Sequence, residues 1–256
     1  MKFDLHVHTD ASPDSRTTVA AAVRAAKKAG LDGIALANHN KFVAPPQTDG
    51  FVIIPACEYS TDAGHLVTYF INSPLDDGLE KNAQGQYHWR DILERARAQN
   101  AIIILAHPYS PEWSNRDDEV YTAVDGIEAY NARIEHAAAK EPNPRAQEKI
   151  RNLGCAFTAG SDAHFAREIG AAYWEYDAES GTLSEIYDAL KSGTGRIYGG
   201  CAKAIWRPLS SWQMMFATKR WGRIPNLIAR TAKATLQLIH PKRKPEPVDM
   251  KGLNRE

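Results

Sequence analysis

The feature that most constrains this chain is a recurrence. Short β-rich runs are followed, again and again, by segments with helical patterning. Lys2–His8 reads as a first strand. An alanine-rich helix follows over Thr17–Ala29, with Thr17 and Thr18 as helix-start hydroxyls and Gly30 as its stop. Gly33–Ala37, Phe51–Cys57 and Gly64–Ile71 read as strands, then Trp89–Asn100 as a helix and Ala101–Ala106 as a strand. Gly126–Tyr130, Ala156–Ala159, Ala171–Tyr176 and Arg196–Tyr198 continue the strands, with helices over Pro144–Leu153 and Ser184–Lys191. Uninterrupted apolar strands such as Ile102-Ile103-Ile104-Leu105 predict an α/β fold with a parallel sheet buried on both faces. In barrels of such units the chemistry sits at the C-terminal ends of the strands.

That rule turns the histidines into a site. Six of the nine, His6, His8, His39, His65, His107 and His164, fall at or next to predicted strand ends, and Glu58 and Asp162 join them. In His6-x-His8 an extended backbone points both imidazoles to one side, which is half of a zinc- or manganese-type site. Asp162-x-His164 repeats the spacing with one oxygen and one nitrogen. Glu58 has two oxygens and so can bridge two cations. Each signal alone has a plainer reading: Asp162 as a helix cap, Asp14 as a turn residue after Ser12-Pro13, His107-Pro108 as a loop start. Ligand-type residues at five separate strand ends are what point to a metal site. No thiolate is among them, which favours a hydrolytic N/O site over a structural one.

Composition narrows the class. With 256 residues, 43% hydrophobic and 24% charged, the chain suits one large domain or two small ones. No apolar run reaches the length of a membrane-spanning helix, and Met1–His6 reads straight into a strand without the apolar core of a signal peptide. The three cysteines (Cys57, Cys155, Cys201) form no CxxC pair, which argues against a disulfide framework and suits a reducing cytoplasm. The expected location is cytoplasmic, with peripheral attachment to a membrane as the alternative. The zero net charge hides an asymmetry: residues 207–256 carry eleven Lys/Arg against three Asp/Glu, and the remainder carries 20 against 28.

The motifs together resemble those of the polymerase and histidinol phosphatase (PHP) family. They are Asp4-Leu5-His6-Val7-His8-Thr9 with Ser12 and Asp14, Asn38-His39-Asn40, Cys57-Glu58 with His65, Ala106-His107-Pro108, and Gly160-Ser161-Asp162-Ala163-His164. The resemblance covers roughly residues 1 to 200. It implies a distorted (β/α)7 barrel with two or three divalent metals (zinc, manganese or iron) at the C-terminal rim, and phosphoester hydrolysis. Carried over position by position, it assigns His6, His8, Glu58 and Asp162 to a first metal. Glu58 is shared with a second metal that takes His65 and His107, and Asp14, His39 and His164 hold a third. Asn38 departs from the pattern, since the family usually has an aspartate there. A neutral amide removes a charge beside the third metal.

Three divalent cations with three carboxylates and neutral imidazoles leave about +3, which suits a phosphate dianion. The expected reaction is hydrolysis of a phosphomonoester or small phosphodiester by a metal-bound hydroxide, on a phosphorylated small molecule or nucleotide. Arg133, after the Gly126–Tyr130 strand, and Arg167, after His164, are candidate phosphate contacts. His88, His136 and His240 read as non-ligands, and the cysteines as core residues. The alternatives are amidohydrolase-type chemistry and a non-catalytic metal-binding scaffold or regulatory module.

The expected domain division is a catalytic barrel over 1–206 and a basic amphipathic, partly disordered tail over 207–256. In the tail, Trp212, Met214, Met215, Phe216 and Trp221 lie beside Lys219, Arg220 and Arg223, and Leu227, Ile228, Leu236, Leu238 and Ile239 interleave with Arg230 and Lys233. Such a segment can dock on the barrel, lie on an anionic membrane surface or bind nucleic acid. The basic cluster Pro241–Pro245 precedes a last dozen residues expected to be disordered.

Overall fold

A computed structural model describes residues 1–110, 118–135, 141–178, 181–236 and 243–250. Its strands are β1 (Lys2–Val7), β2 (Gly33–Leu36), β3 (Val52–Thr61), β4 (Gly64–Tyr69), β5 (Ile102–Ala106), β6 (Gly126–Asn131), β7 (Ala156–Gly160), β8 (Ala172–Glu175), β9 (Arg196–Cys201) and β10 (Arg243–Pro247). Its helices are α1 (Val19–Lys28), α2 (Trp89–Ala98), α3 (Val120–Ala123), α4 (Pro142–Leu153), α5 (Leu183–Ser192), α6 (Trp206–Thr218) and α7 (Ile224–Leu236). The strands form one ten-stranded sheet in the order β10-β9-β8-β1-β2-β3-β4-β5-β6-β7.

The sheet is mixed, where continuous apolar strands led to the expectation of a parallel one. β1–β2, β2–β3, β5–β6 and β6–β7 pair parallel, but β4 runs antiparallel to both β3 and β5. Only Asp62 and Ala63 separate β3 from β4, too few for a helical crossover, so the chain must turn back as a hairpin. Gly64 closes the turn with φ +122°. This pairing also extends β3 to Thr61, four residues past the predicted end, and Glu58 therefore lies inside a strand. At the other side β8 runs antiparallel to β1 and β9.

The sheet curls on itself. Beyond β7, the Ala163 N–H donates to the His6 carbonyl (3.3 Å) and the His8 N–H donates to the Ala163 carbonyl (2.8 Å). The end of β7 is thereby tied to the end of β1, although the two strands stand six places apart in the sheet order.

Two apolar clusters hold the layers together. Ala22 and Ala26 of α1 pack with Val7, Ile34, Leu36 and Ile53 on one side of β1–β3. The small alanine face lets the helix sit close, and Thr18 Oγ1 caps it by accepting from the Ala21 N–H (3.2 Å). Gly30 follows with φ +76°, as its role as a helix stop requires. The larger cluster joins Leu5, Ile54, Leu66, Ile104 and Phe157 to Ile92 of α2, Ile150 of α4 and Ile186 of α5.

The C-terminal segment is built onto this frame. Trp206 packs tilted against Phe165 (ring centroids 5.0 Å apart), and Met215 of α6 and Leu227 of α7 are buried. Trp212 Nε1 donates to Thr231 Oγ1 (3.0 Å), clasping α6 to α7. Phe216, Trp221, Ile228 and Leu236 stay exposed. The expectation of disorder in the last dozen residues fails for Pro245–Pro247, which belong to β10 and pair antiparallel with β9. β9 offers an open strand edge, and backbone pairing needs no apolar side chains. Leu238, Ile239, His240, Pro241, Lys242 and His136 lie outside the described residues. Among the described residues no helix is long and apolar enough to cross a membrane.

Close approach of β7 to β1 makes Gly160 a sensitive position. A Cβ there would stand 2.3 Å from His6 Cβ and 2.7 Å from the His6 nitrogen. Gly160→Ala is expected to destabilise the chain by about 1–3 kcal/mol, read as a lowered urea midpoint. A midpoint equal to wild type would contradict this packing.

Candidate metal centre

Every expected ligand arrives at one rim, and the mixed sheet explains how. The parallel strands β1, β2, β5 and β7 end there, delivering His6 and His8, His39, His107, and Asp162 with His164. β4 runs the opposite way, so its beginning lies at the same rim, and His65 opens it opposite Ala106 of β5. Glu58, inside β3, is held beside His39 by a parallel bridge. His107 (φ +28°) and Asp162 (φ +53°) adopt left-handed backbone conformations as the chain leaves the strands. Such strain concentrates where side chains must be aimed.

Glu58, with no exposed surface, is the centre of the cluster. Its Oε2 lies 3.4 Å from His6 Nε2, 3.4 Å from His8 Nε2 and 2.8 Å from His39 Nδ1. Its Oε1 lies 2.7 Å from His65 Nδ1 and 3.0 Å from His107 Nε2. Asp162 Oδ1 is 3.2 Å from His8 Nε2 and 3.5 Å from His164 Nδ1. Asp14 Oδ2 is 2.9 Å from His164 Nε2 and 3.5 Å from His39 Nε2. Ligand atoms of His6, His8 and Glu58, of His39, Glu58 and His65, and of His8, His39 and His164 each lie within 4.8 Å of one another.

The donor set fits divalent cations. His6 Nε2, His8 Nε2, His39 Nδ1, Glu58 Oε2 and Asp14 Oδ1 are buried without a hydrogen-bond partner. Buried polar atoms are costly unless satisfied, and these converge on a few points from different strands. Imidazole and carboxylate together suit zinc, manganese or iron.

Charge in the cluster runs the same way. Burial opposes ionisation of Glu58, yet His65, His39 and His6 hold its carboxyl well below the usual range. Burial also opposes charge on His6, but Glu128, Glu58 and Asp162 keep its pKa well above the ordinary value. His39 is raised in the same way by Glu58 and Asp14. Burial lowers His8 well below its usual value, with His164 and His39 adding to the effect, and burial also lowers His65. Carboxylates in this cluster thus recruit protons onto some imidazoles, and a cation must displace them.

A supporting layer fixes the rings. Glu128 of β6 faces His6 Nδ1 through Oε1 (3.0 Å), and its Oε2 accepts from the His107 N–H (2.7 Å) and Asn131 Nδ2 (3.0 Å). Ser12 Oγ stands 3.2 Å from His8 Nδ1 and accepts from the His39 N–H (2.9 Å). Such partners set ring tautomer and orientation. Glu128 was not singled out in the sequence, although a carboxylate inside a buried strand was its signal. Asn38 keeps the acceptor role of an aspartate: its Oδ1 takes the Thr9 N–H (2.6 Å) and hydroxyl (3.0 Å). Its Nδ2 is buried without a hydrogen-bond partner.

Above the cluster lies a cavity of ≈ 110 Å³ lined by His39, His65, His107 and His164 with Asp14 and Asp162. Arg133 lines it too, its Nη1 held by Glu168 (3.0 and 3.2 Å) and its Nη2 bonded to Ser210. Arg167 is exposed and lines neither this cavity nor the larger one beside it. Arg207, Ser210 and Ser211 of α6 complete the wall, a contribution the sequence reading did not assign. His88 instead caps α2, its Nδ1 accepting from the Arg90 N–H (3.3 Å). Burial pushes the Cys57 thiol up to about 12, which removes it as a thiolate.

The chain is similar to several known proteins. A family model described as PHP-associated matches residues 140–194, a stretch that contains Asp162 and His164. The uncharacterized protein MJ1587 of Methanocaldococcus jannaschii is 28% identical over 149 residues, 52% of this chain and 82% of that one. MJ0417 of the same organism is 28% identical over 184 residues, 69% and 70% of the two chains. Among solved structures, PsfC of Pseudomonas syringae superposes with a TM-score of 0.57 at 17% identity, covering 85% of this chain and 98% of that one. The lesion-specific endonuclease PfuEndoQ of Pyrococcus furiosus gives 0.52 at 17% identity, covering 74% and 55%.

Two outcomes test the centre. Because His6, His39 and His107 hold protons above their ordinary range, metal uptake should release protons and weaken as pH falls. Calorimetric titration with manganese in buffers of different ionisation enthalpy reads this, and uptake without proton release would contradict it. Glu128→Gln should weaken metal affinity about 10–100-fold, and an unchanged affinity would contradict its orienting role.

Proposed function

We propose that this chain, a PHP-domain protein, is a metal-dependent phosphoesterase that hydrolyses a phosphomonoester or small phosphodiester at the rim of a sheet closed into a distorted barrel. The observation that carries this reading is the convergence of unsatisfied imidazole and carboxylate atoms under a cavity walled by arginines. His6, His8, Glu58 and Asp162 would hold one cation, Glu58, His65 and His107 a second, and Asp14, His39 and His164 a third. Cations bound there supply Lewis-acid charge and activate water at neutral pH.

The chain's own residues supply the rest. Glu58, by facing histidines with both oxygens, sets the spacing of the ligand groups. Glu128 and Ser12 keep His6 and His8 in fixed ring orientations, so the donors need no rearrangement during reaction. Arg133, locked by Glu168 and Ser210, presents a fixed guanidinium at the cavity wall, where it can donate to phosphate oxygens. Among the described residues the cavity's carboxylates are the proposed ligands Asp14 and Asp162, whose charge bound cations would offset. That charge pattern favours a phosphate ester over a neutral amide.

His8→Ala or Asp162→Ala should cut phosphate release by at least about 100-fold while the thermal unfolding transition persists. The assay is phosphate release from a panel of phosphomonoesters and small phosphodiesters, using protein reloaded with manganese, zinc or iron. Wild-type protein that binds metal yet releases no phosphate from any member would overturn the proposal.

A further inference from the structure

A second, larger cavity opens beside the metal centre, and the phosphoesterase reading leaves it unused. It measures ≈ 960 Å³ and shares Asp14, His39 and His65 with the smaller one. One wall is the loop that carries Lys81, Gln84 and Gln86. The opposite wall is the α6–α7 pair, which contributes Arg220, Arg223 and Arg230.

Charge is distributed unevenly here. Among the described residues, four cationic side chains line the cavity against one carboxylate, Asp14, which belongs to the ligand cluster at its floor. On a plain solvated surface, acidic and basic groups interleave; here one sign collects in a concavity, where the field is focused. Guanidinium groups bind phosphates and carboxylates through paired N–H bonds, and arginine is used where that geometry matters. The volume is that of a site for a small organic molecule, far more than a single phosphate needs.

The position of the arginines is set by the packing of α6 and α7. Trp212 bonds Thr231 across the pair, and Arg223, Leu227 and Arg230, four and three residues apart, line the cavity together. Arg220 precedes and Arg223 ends the Trp221–Arg223 turn between the helices. Ser210 and Ser211 line both cavities, so the two are neighbouring parts of one basin. The charge asymmetry of the C-terminal segment thus delivers cations to the mouth of the metal centre.

We infer that the α6–α7 pair forms an anion subsite, and that the substrate is a small phosphate ester bearing a second, separate anionic group. The reacting phosphate sits over the ligand cluster, and Arg220, Arg223 and Arg230 with Lys81 receive the second group. This inference rests on the phosphoesterase reading for the reacting phosphate; the subsite itself rests on the cavity alone.

The test uses the full chain and three probes of equal length: butyl phosphate, phosphobutyrate and butanediol bisphosphate. Manganese-loaded wild type should turn over the two doubly anionic probes with at least about tenfold higher kcat/KM than butyl phosphate, the size of one or two charge-assisted hydrogen bonds. Preference for the bisphosphate over phosphobutyrate marks the second group as phosphate, and the reverse marks it as carboxylate. The double variant Arg220→Ala/Arg223→Ala, both exposed side chains, should lose most of that preference. A preference that survives in the variant, or its absence in wild type, would overturn the subsite. Calorimetric binding of butanediol bisphosphate to metal-free chain separates the two readings. If no probe is hydrolysed, tenfold weaker binding in the variant sustains the subsite while the phosphoesterase reading fails, and equal binding overturns the subsite as well.

Discussion

One buried carboxylate organises this protein. Glu58 has no exposed surface, and five imidazoles approach its two oxygens within 3.4 Å. An ionised group so placed is costly unless compensated, and the surrounding sheet is arranged to provide compensation from several strands at once. β1 brings two histidines, the ends of β2 and β5 bring one each, and the reversed β4 brings another from its beginning. The β3–β4 hairpin is central to this arrangement. It places Glu58 inside one strand and His65 at the start of the next, so that both reach the same rim. A strictly parallel sheet would have put the two at opposite ends.

The ligand set was legible in the sequence because its residue types are rare at buried strand ends and recur with short, regular spacings. His6-x-His8 and Asp162-x-His164 each need only local extended geometry to present two side chains together. The strands carrying them were visible for the same reason, as apolar runs bounded by helix signals. The mixed topology was not visible: a buried antiparallel strand is as continuously apolar as a parallel one, and only the two-residue link between β3 and β4 distinguishes them. Glu128 was overlooked because its role depends on β6 lying beside β5 and β7, a relation no local pattern encodes. Arg167 follows His164 closely in sequence yet lines neither cavity, while Arg207, 43 positions after His164, lines one. Sequence proximity is a poor guide once a turn intervenes.

In the C-terminal segment, packing adds what composition leaves open. Its aromatic and basic residues suit a membrane surface or a nucleic acid as well as they suit docking. In the folded chain the helices pack with buried Met215 and Leu227, β10 extends the sheet, and several of the arginines border the basin over the ligand cluster. Part of the segment's positive charge therefore borders the opening above the ligand cluster.

The central claim is that the Glu58 cluster is a metal centre. Anomalous diffraction from crystals grown with manganese tests it most directly. The account predicts peaks within coordination distance of both Glu58 oxygens, with ligands drawn from His6, His8, His65, His107 and Asp162. Crystals that hold manganese only at surface carboxylates, with the imidazoles still bonded directly to Glu58, would contradict it.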